Sequence, residues 1–243
     1  MGDFGFAKPA AYHGLFRHYQ FYYDRLLSLI TDVADLRPSY VLDLACGTGE
    51  FTCAIARRFP NSKIVGLDIS TAFIEFAKAN QPDREIEFFV SPANALPGVA
   101  WISNVDTIFI KGAYHLFENA LPIEVFTRPQ FRNLRCVVIV EKIQRSLESY
   151  PVPDSAAEDR KRYVSSEWAS KRLNVPAGIT NQSVSFGHLV RVPPQDYFEA
   201  VKQRQFSYLQ SVDDAEMDAW LAGRPSEKHI NIFEENVCNI YHL

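Results

Sequence analysis

At 243 residues the chain is long enough for one sizeable α/β core and short for two independent domains of ordinary size. A content of 47% hydrophobic, 13% aromatic and 22% charged residues excludes a disordered or fibrous chain. A net charge of −4 without a dense Lys/Arg cluster argues against a nucleic-acid substrate, and no apolar run is long enough to cross a bilayer.

The opening MGDFGFAKPAAYHG lacks the basic start and apolar run of a signal peptide, which predicts a cytoplasmic protein. Next comes AAYHGLFRHYQFYYDRLLSLI, where Leu15, Tyr19, Tyr22, Leu26 and Leu29 fall on one helical face. Tyr40 to Ala45 reads as the first strand. After a glycine turn, Phe51, Ile55 and Phe59 recur at helical spacing, with Arg57 and Arg58 left for solvent and Pro60 as a stop. Lys63 to Leu67 is the second strand and ends on Asp68; Ser70 stands where a helix N-cap belongs, ahead of Phe73, Ile74 and Ala77. Glu85 to Val90, Val105 to Ile110 and Leu134 to Glu141 complete five strands alternating with helix-like runs, the pattern of a parallel sheet covered by helices. Beyond Pro151 and Pro153, Ser155 to Leu173 reads as a polar helix and Val184 to Val192 as a sixth strand. Helices follow near Asp196 to Arg204 and Asp213 to Leu221, and INIFEENVCNIYHL alternates like a last strand.

The chemistry concentrates in VLDLACGTGE, residues 41–50. A buried strand delivers Asp43, and the chain turns through Ala45, Cys46, Gly47, Thr48 and Gly49 into a helix. Glycines there let the backbone approach a ligand where a side chain would collide. Asp68, at the end of the next strand, is placed to accept both hydroxyls of an adenosine ribose. A dinucleotide fingerprint wants a third glycine three residues after Gly49, and Thr52 stands there, so a pyrophosphate ligand is the poorer reading. Cys46, Cys53, Cys136 and Cys238 fit neither CxxC nor zinc spacing and read as small buried hydrophobes; the six histidines show no HxH or HExxH, so no metal is expected.

With Asp68 following in order, DLACGTG resembles the first motif of the class I S-adenosylmethionine-dependent methyltransferases, in the branch that holds many small-molecule and ubiquinone-pathway-type enzymes. The resemblance implies a Rossmann-like α/β fold, a doubly wound mixed seven-stranded sheet with a helical N-terminal segment and a helical insertion before the last strand. It divides one domain into lid-like helices (1–36), a cofactor-binding core (37–145), substrate-side insertions (146–230) and a last strand (231–243). The implied cofactor is S-adenosyl-L-methionine, with Asp43, Ala45, Gly47, Thr48 and Gly49 around it, Asp68 on its ribose and Ile69 on its adenine. Ala93 and Asn94 border the adenine from SPANALP, where Pro92 replaces the family's acid, and Lys111 and Gly112 lie under the methionine end.

After the fourth strand, Tyr114 and His115 are expected to face the reacting group, His115 as a base; packing or capping of the next helix explains this histidine equally well. Arg204 and Tyr208 are placed in a substrate-closing insertion, and the N-terminal aromatics Tyr12, Phe16, Tyr19, Tyr22 and Tyr23 in the opposite wall, with Tyr19 the pocket residue; a solvent-facing Arg204 with a packing Tyr208, and a plain amphipathic helix, are the competing readings. The resemblance thus implies methyl transfer to an oxygen or nitrogen of a small molecule by a monomer or homodimer. Two other readings stay open: another use of S-adenosylmethionine, such as aminocarboxypropyl transfer or cyclisation, and an inactive cofactor-binding partner.

Overall fold

The β-branched runs of the sequence pair into a seven-stranded sheet in this computed structural model, which describes residues 8–80, 86–116, 121–142, 150–157, 177–206, 209–224 and 228–243. The strands are β1 (Tyr40–Leu44), β2 (Lys63–Asp68), β3 (Glu87–Val90), β4 (Thr107–Lys111), β5 (Cys136–Lys142), β6 (Thr180–Val192) and β7 (Ile230–His242). Their order is β3-β2-β1-β4-β5-β7-β6. The first five run parallel, with Val41 opposite Ile64 and Ile108 opposite Val137. β7 inserts antiparallel beside β5, with Val138 opposite Ile240, and its other edge takes β6. Successive strands are added on one side of β1 up to β3 and on its other side from β4, so the carboxyl ends of the parallel β1 and β4 frame the crevice where ligands of such sheets bind.

The helices are α1 (Pro9–Phe16), α2 (Gln20–Ala34), α3 (Glu50–Arg58), α4 (Thr71–Asn80), α5 (Pro194–Lys202) and α6 (Asp214–Ala222). The expected cap at Ser70 holds, its Oγ accepting the Phe73 N–H at 3.4 Å, and Asp213 Oδ1 caps α6 by accepting the Glu216 N–H at 2.8 Å. One core lies under α1, α2 and α3, joining Leu15, Tyr19, Leu26, Ile55 and Phe109. The opposite face of the sheet buries Leu42, Val65, Ile108, Phe126 and Phe131.

Three expectations need correction. The N-terminal segment is two helices joined by a 3-10 turn at Arg17–Tyr19, so the buried face of α2 is Tyr22, Tyr23, Leu26, Leu27 and Ile30, and Leu29 is only half-buried. Between β3 and β5 the described chain crosses over in 3-10 turns, Ala93–Gly98, Ile102–Asn104, Tyr114–Leu116, Ile123–Thr127 and Pro129–Phe131, where α-helices would continue the alternation. Pro92, Pro97, Pro122 and Pro129 remove donors and fix φ throughout that stretch, which favours short tight turns over helix. β6 begins at Thr180, four residues before the expected start, because the long β7 partner pairs with it as far as His242. Most of the expected polar helix, Ser155 to Leu173, lies outside the described residues. No described helix is long and apolar enough to cross a membrane.

Candidate functional site

β1 ends in a loop folded tightly back on β2. The N–H groups of Ala45 and Cys46 both donate to the Leu67 carbonyl, at 2.7 and 3.1 Å, and the Gly47 N–H donates to Asp68 Oδ2 at 2.9 Å. Asp68 Oδ1 accepts the Ser70 N–H at 2.9 Å, so one carboxylate ties the glycine loop to the start of α4. Burial pushes the Asp68 carboxyl above its ordinary value, against the pull of the Ser70 and Gly47 N–H groups. The loop turns through left-handed backbone at Ala45 (φ 64°), Gly47 (57°) and Gly49 (88°). A Cβ on Gly47 would stand 3.6 Å from Tyr12, between the loop and α1, so this glycine keeps the floor of the cleft clear. At Gly49 a Cβ would stand 3.1 Å from Phe88, so that glycine serves packing.

The cleft above the loop is lined by Tyr12, Tyr23, Asp43, Ala45, Cys46, Glu50, Phe51 and Lys111. Asp43 is buried and accepts from Thr52 Oγ1 at 2.6 Å. Burial raises its carboxyl to about 7, although Thr52 and Lys111 pull it down. Glu50 accepts from Thr48 Oγ1 at 2.6 and 2.8 Å and pairs with His13 Nδ1 at 2.6 Å, which pins α1 across the cleft mouth. Lys111 closes the inner end, its Nζ 5.0 Å from the Tyr23 ring centroid, 5.8 Å from Phe51 and 5.9 Å from Phe16. Burial and the neighbouring Lys142 lower its ammonium to about 8. The phenols of Tyr12, Tyr19, Tyr22 and Tyr23 are all pushed up by burial and stay protonated at neutral pH.

Of the expected cofactor residues, Asp43, Ala45 and Lys111 line this cleft, and Gly47, Thr48, Gly49 and Asp68 belong to the loop and the carboxylate clasp beside it. Gly112 follows Lys111 with φ 65° and donates its N–H to the Val140 carbonyl at 2.7 Å. Ile69 is 48% exposed, free for a flat ligand, while Ala93 is half-buried and Asn94 exposed on a 3-10 turn. Tyr114 is placed elsewhere: it is buried in the core on the opposite face of the sheet, its hydroxyl donating to the Leu121 carbonyl at 3.3 Å. His115 stands beside it, Nδ1 3.3 Å from Glu141 Oε2, and neither residue lines the cleft. Arg204 binds the Val212 carbonyl at 2.8 Å and Asp214 at 2.6 Å, away from the cleft, and Tyr208 lies outside the described residues. Tyr19 is buried, its hydroxyl 3.0 Å from that of Tyr150.

Sequence reading missed Glu50, Lys142, Tyr150 and Glu234. Lys142 Nζ lies 2.9 Å from Glu234 Oε1, and the Tyr150 hydroxyl hydrogen-bonds both. The available signal was positional, since Lys142 ends β5 as Lys111 ends β4.

The model of a methyltransferase domain matches residues 41–129, the stretch that builds β1 to β4 and the loop just described. Residues 41–129 belong to the class I, S-adenosylmethionine-dependent methyltransferases. The domain is 47% identical over 45 residues to the trans-aconitate 2-methyltransferase of Methylobacterium radiotolerans, covering 18% of this chain and 17% of that protein. It is 40% identical over 73 residues to the demethylmenaquinone methyltransferase of Thermotoga maritima, covering 30% of each. The chain thus spans under a third of the length of both relatives. The fold extends further: the methyltransferase domain of bacterial CtHen1-C aligns over 91% of this chain and 97% of its own, with a TM-score of 0.53 at 18% identity. The plantazolicin methyltransferase BpumL, solved with SAH, aligns over 94% and 86%, with a TM-score of 0.50 at 15% identity.

The residues present fit S-adenosylmethionine. A glycine floor without Cβ atoms, a carboxylate at the end of β2 and an exposed Ile69 beside it suit a nucleoside, and an acidic Asp43 at the inner end suits an ammonium.

Proposed function

We propose that the chain binds S-adenosyl-L-methionine in this cleft and transfers its methyl group to an oxygen or nitrogen of a small molecule. The supporting observation is the Asp68–Gly47 clasp, which sets a ribose-type carboxylate against a side-chain-free floor. In this reading Gly47 keeps the floor clear, Asp68 accepts ribose hydroxyls, and Asp43 faces the amino-acid end of the donor, with Lys111 at the inner limit of the cleft. Bound there, the cofactor supplies an activated methyl, so the protein's work is alignment and exclusion of water.

Tyr12 and Tyr23 provide that exclusion, since α1 carries Tyr12 directly over Gly47. The names of the curated relatives, which act on trans-aconitate and demethylmenaquinone, agree with a small acceptor. The protein is proposed to be cytoplasmic and to work as a monomer or homodimer.

Isothermal titration with S-adenosylhomocysteine tests the reading. Wild type should bind it, and Asp68→Asn, which keeps a carbonyl for the Gly47 N–H, should bind about tenfold more weakly. No binding of cofactor or product by wild type sinks the proposal. Mass spectrometry of the spent cofactor separates the reactions, because methyl transfer leaves S-adenosylhomocysteine and aminocarboxypropyl transfer leaves methylthioadenosine.

A further inference from the structure

Two neighbouring parallel strands end in lysines, and the antiparallel strand beside them carries a glutamate near its start. Lys111 ends β4, Lys142 ends β5, and Glu234 lies near the start of antiparallel β7, two residues from Asn236, which pairs with Lys142. Lys142 is neutralised by Glu234 at 2.9 Å. Tyr150 bonds to both, and Tyr19 stands 3.0 Å from Tyr150. Lys111 differs: among the described residues its Nζ makes no hydrogen bond or ion pair, and the rings of Tyr23, Phe51 and Phe16 stand around it, while Glu234, Asp43 and Glu50 attract it only from beyond ion-pair distance. The Phe16 ring centroid is 5.9 Å from both ammonium groups.

The other charges facing the cleft are already engaged. Asp43 is held by Thr52, and Glu50 by Thr48 and His13. A cation half-buried in an aromatic box beside a second cation is an unfavourable arrangement until an anion joins it. Its lowered affinity for a proton, about 8 where a free lysine is above 10, records the same penalty.

Sheet order decides which ligand brings that anion. Asp68 ends β2 and Lys142 ends β5, with β1 and β4 between them, so at roughly 5 Å per strand the two lie about 14 Å apart. A donor whose ribose rests on Asp68 reaches the ends of β1 and β4 with its methyl. The ground beyond, over β4, β5 and β7, belongs to the acceptor.

Resting on the methyltransferase reading above, we infer that the acceptor is a small carboxylic acid with an apolar body, its carboxylate received between Lys111 and Lys142 and its body against Phe16 and Tyr23. A carboxylate oxygen gives a lone pair to the methyl carbon, and the carbon–sulfur bond breaks with its electron pair left on sulfur. The products are a methyl ester and S-adenosylhomocysteine, and no proton is released, so the step needs no base. Two opposite charges disappear as the bond forms, which a dry aromatic cleft favours. Lys111 and Lys142 serve to strip water from the carboxylate and fix its direction.

The probes are phenylacetate and its neutral amide, phenylacetamide, titrated near neutral pH into protein saturated with S-adenosylhomocysteine. Phenylacetate should bind about tenfold or more tightly than the amide, the difference expected of a charge-assisted hydrogen bond. Lys111→Met should bring the two to within about twofold. Because Lys142 compensates buried Glu234, it is tested as Lys142→Met with Glu234→Gln, which leaves no unpaired carboxylate, and the preference should again collapse; thermal melting establishes that each variant is folded. Equal binding of acid and amide to wild type overturns the inference. So does Lys111→Met weakening S-adenosylhomocysteine but not 5′-methylthioadenosine while the acid preference stays, because Lys111 would then hold the donor's own carboxylate. Failure of wild type to bind S-adenosylhomocysteine sinks the donor reading and this inference with it, a result distinguishable from the other two.

Discussion

Asp43 sits at the end of β1 with Thr52 as its hydrogen-bond donor, and burial raises its carboxyl to about 7. Unfolded, the same group titrates near about 3.9. Between those values the folded chain holds a proton the unfolded chain has lost, so stability is greatest at the acidic end and falls as pH rises to about 7. Lys111 acts in the opposite sense: its ammonium is lowered to about 8 when folded, so its ionisation makes stability rise with pH from there towards the ordinary lysine value of about 10.4. We therefore expect urea midpoints of the ligand-free protein to decline from weakly acidic to neutral pH, and Asp43→Asn to flatten that decline. A decline of the same slope in Asp43→Asn would mean that Asp43 is ionised in the folded chain. Asp43 and Asp68 were legible in the sequence because each ends a buried strand beside a glycine turn. Lys142 and Glu234 were not, since 92 residues separate them and only the antiparallel register of β7 on β5 brings them together.

Strands β2 and β3 approach so closely that Gly66 has no room for a methyl group. A Cβ there would stand 2.6 Å from the Phe88 ring and 2.9 Å from Cys46 Sγ. The Phe88 ring is buried and also lies against Gly49, so it has little freedom to move aside. Gly66→Ala should destabilise the protein by about 1–3 kcal/mol, the usual range for overpacking. At this chain length that lowers Tm by roughly 2–4 °C per kcal/mol, and Phe88→Leu in the same molecule should recover part of the loss. Recovery would fail if Gly66 mattered through its backbone instead of through this contact. The elements themselves were readable where one period ran unbroken, as in Lys63–Asp68 or Glu50–Arg58. Reading failed at Arg17–Tyr19, where a tight turn resets the helical phase within an aromatic run that has no proline or glycine to mark it.

Residues far apart in sequence meet over the cleft. α1 is pinned to α3 by His13–Glu50 at 2.6 Å, and the 3-10 turn that follows it is pinned to α5, in the insertion between β6 and β7, by Arg17 and His18 on Asp196 at 3.0 and 2.7 Å. A ligand bound below α1 therefore touches the glycine loop and, through these pairs, the insertion, and its binding energy adds to the stability of the whole fold. Saturation at about a hundred times Kd adds about 2.7 kcal/mol, a rise in Tm of roughly 5–11 °C for a chain of this size. S-adenosylhomocysteine should produce that rise, growing with the logarithm of its concentration, while NAD should not, because Thr52 occupies the position where a dinucleotide loop needs its third glycine. Differential scanning fluorimetry with both ligands decides the matter: a rise with NAD alone would return the glycine loop to the pyrophosphate-binding class, since the strand–loop–helix geometry is shared and only the ligand tells the two apart.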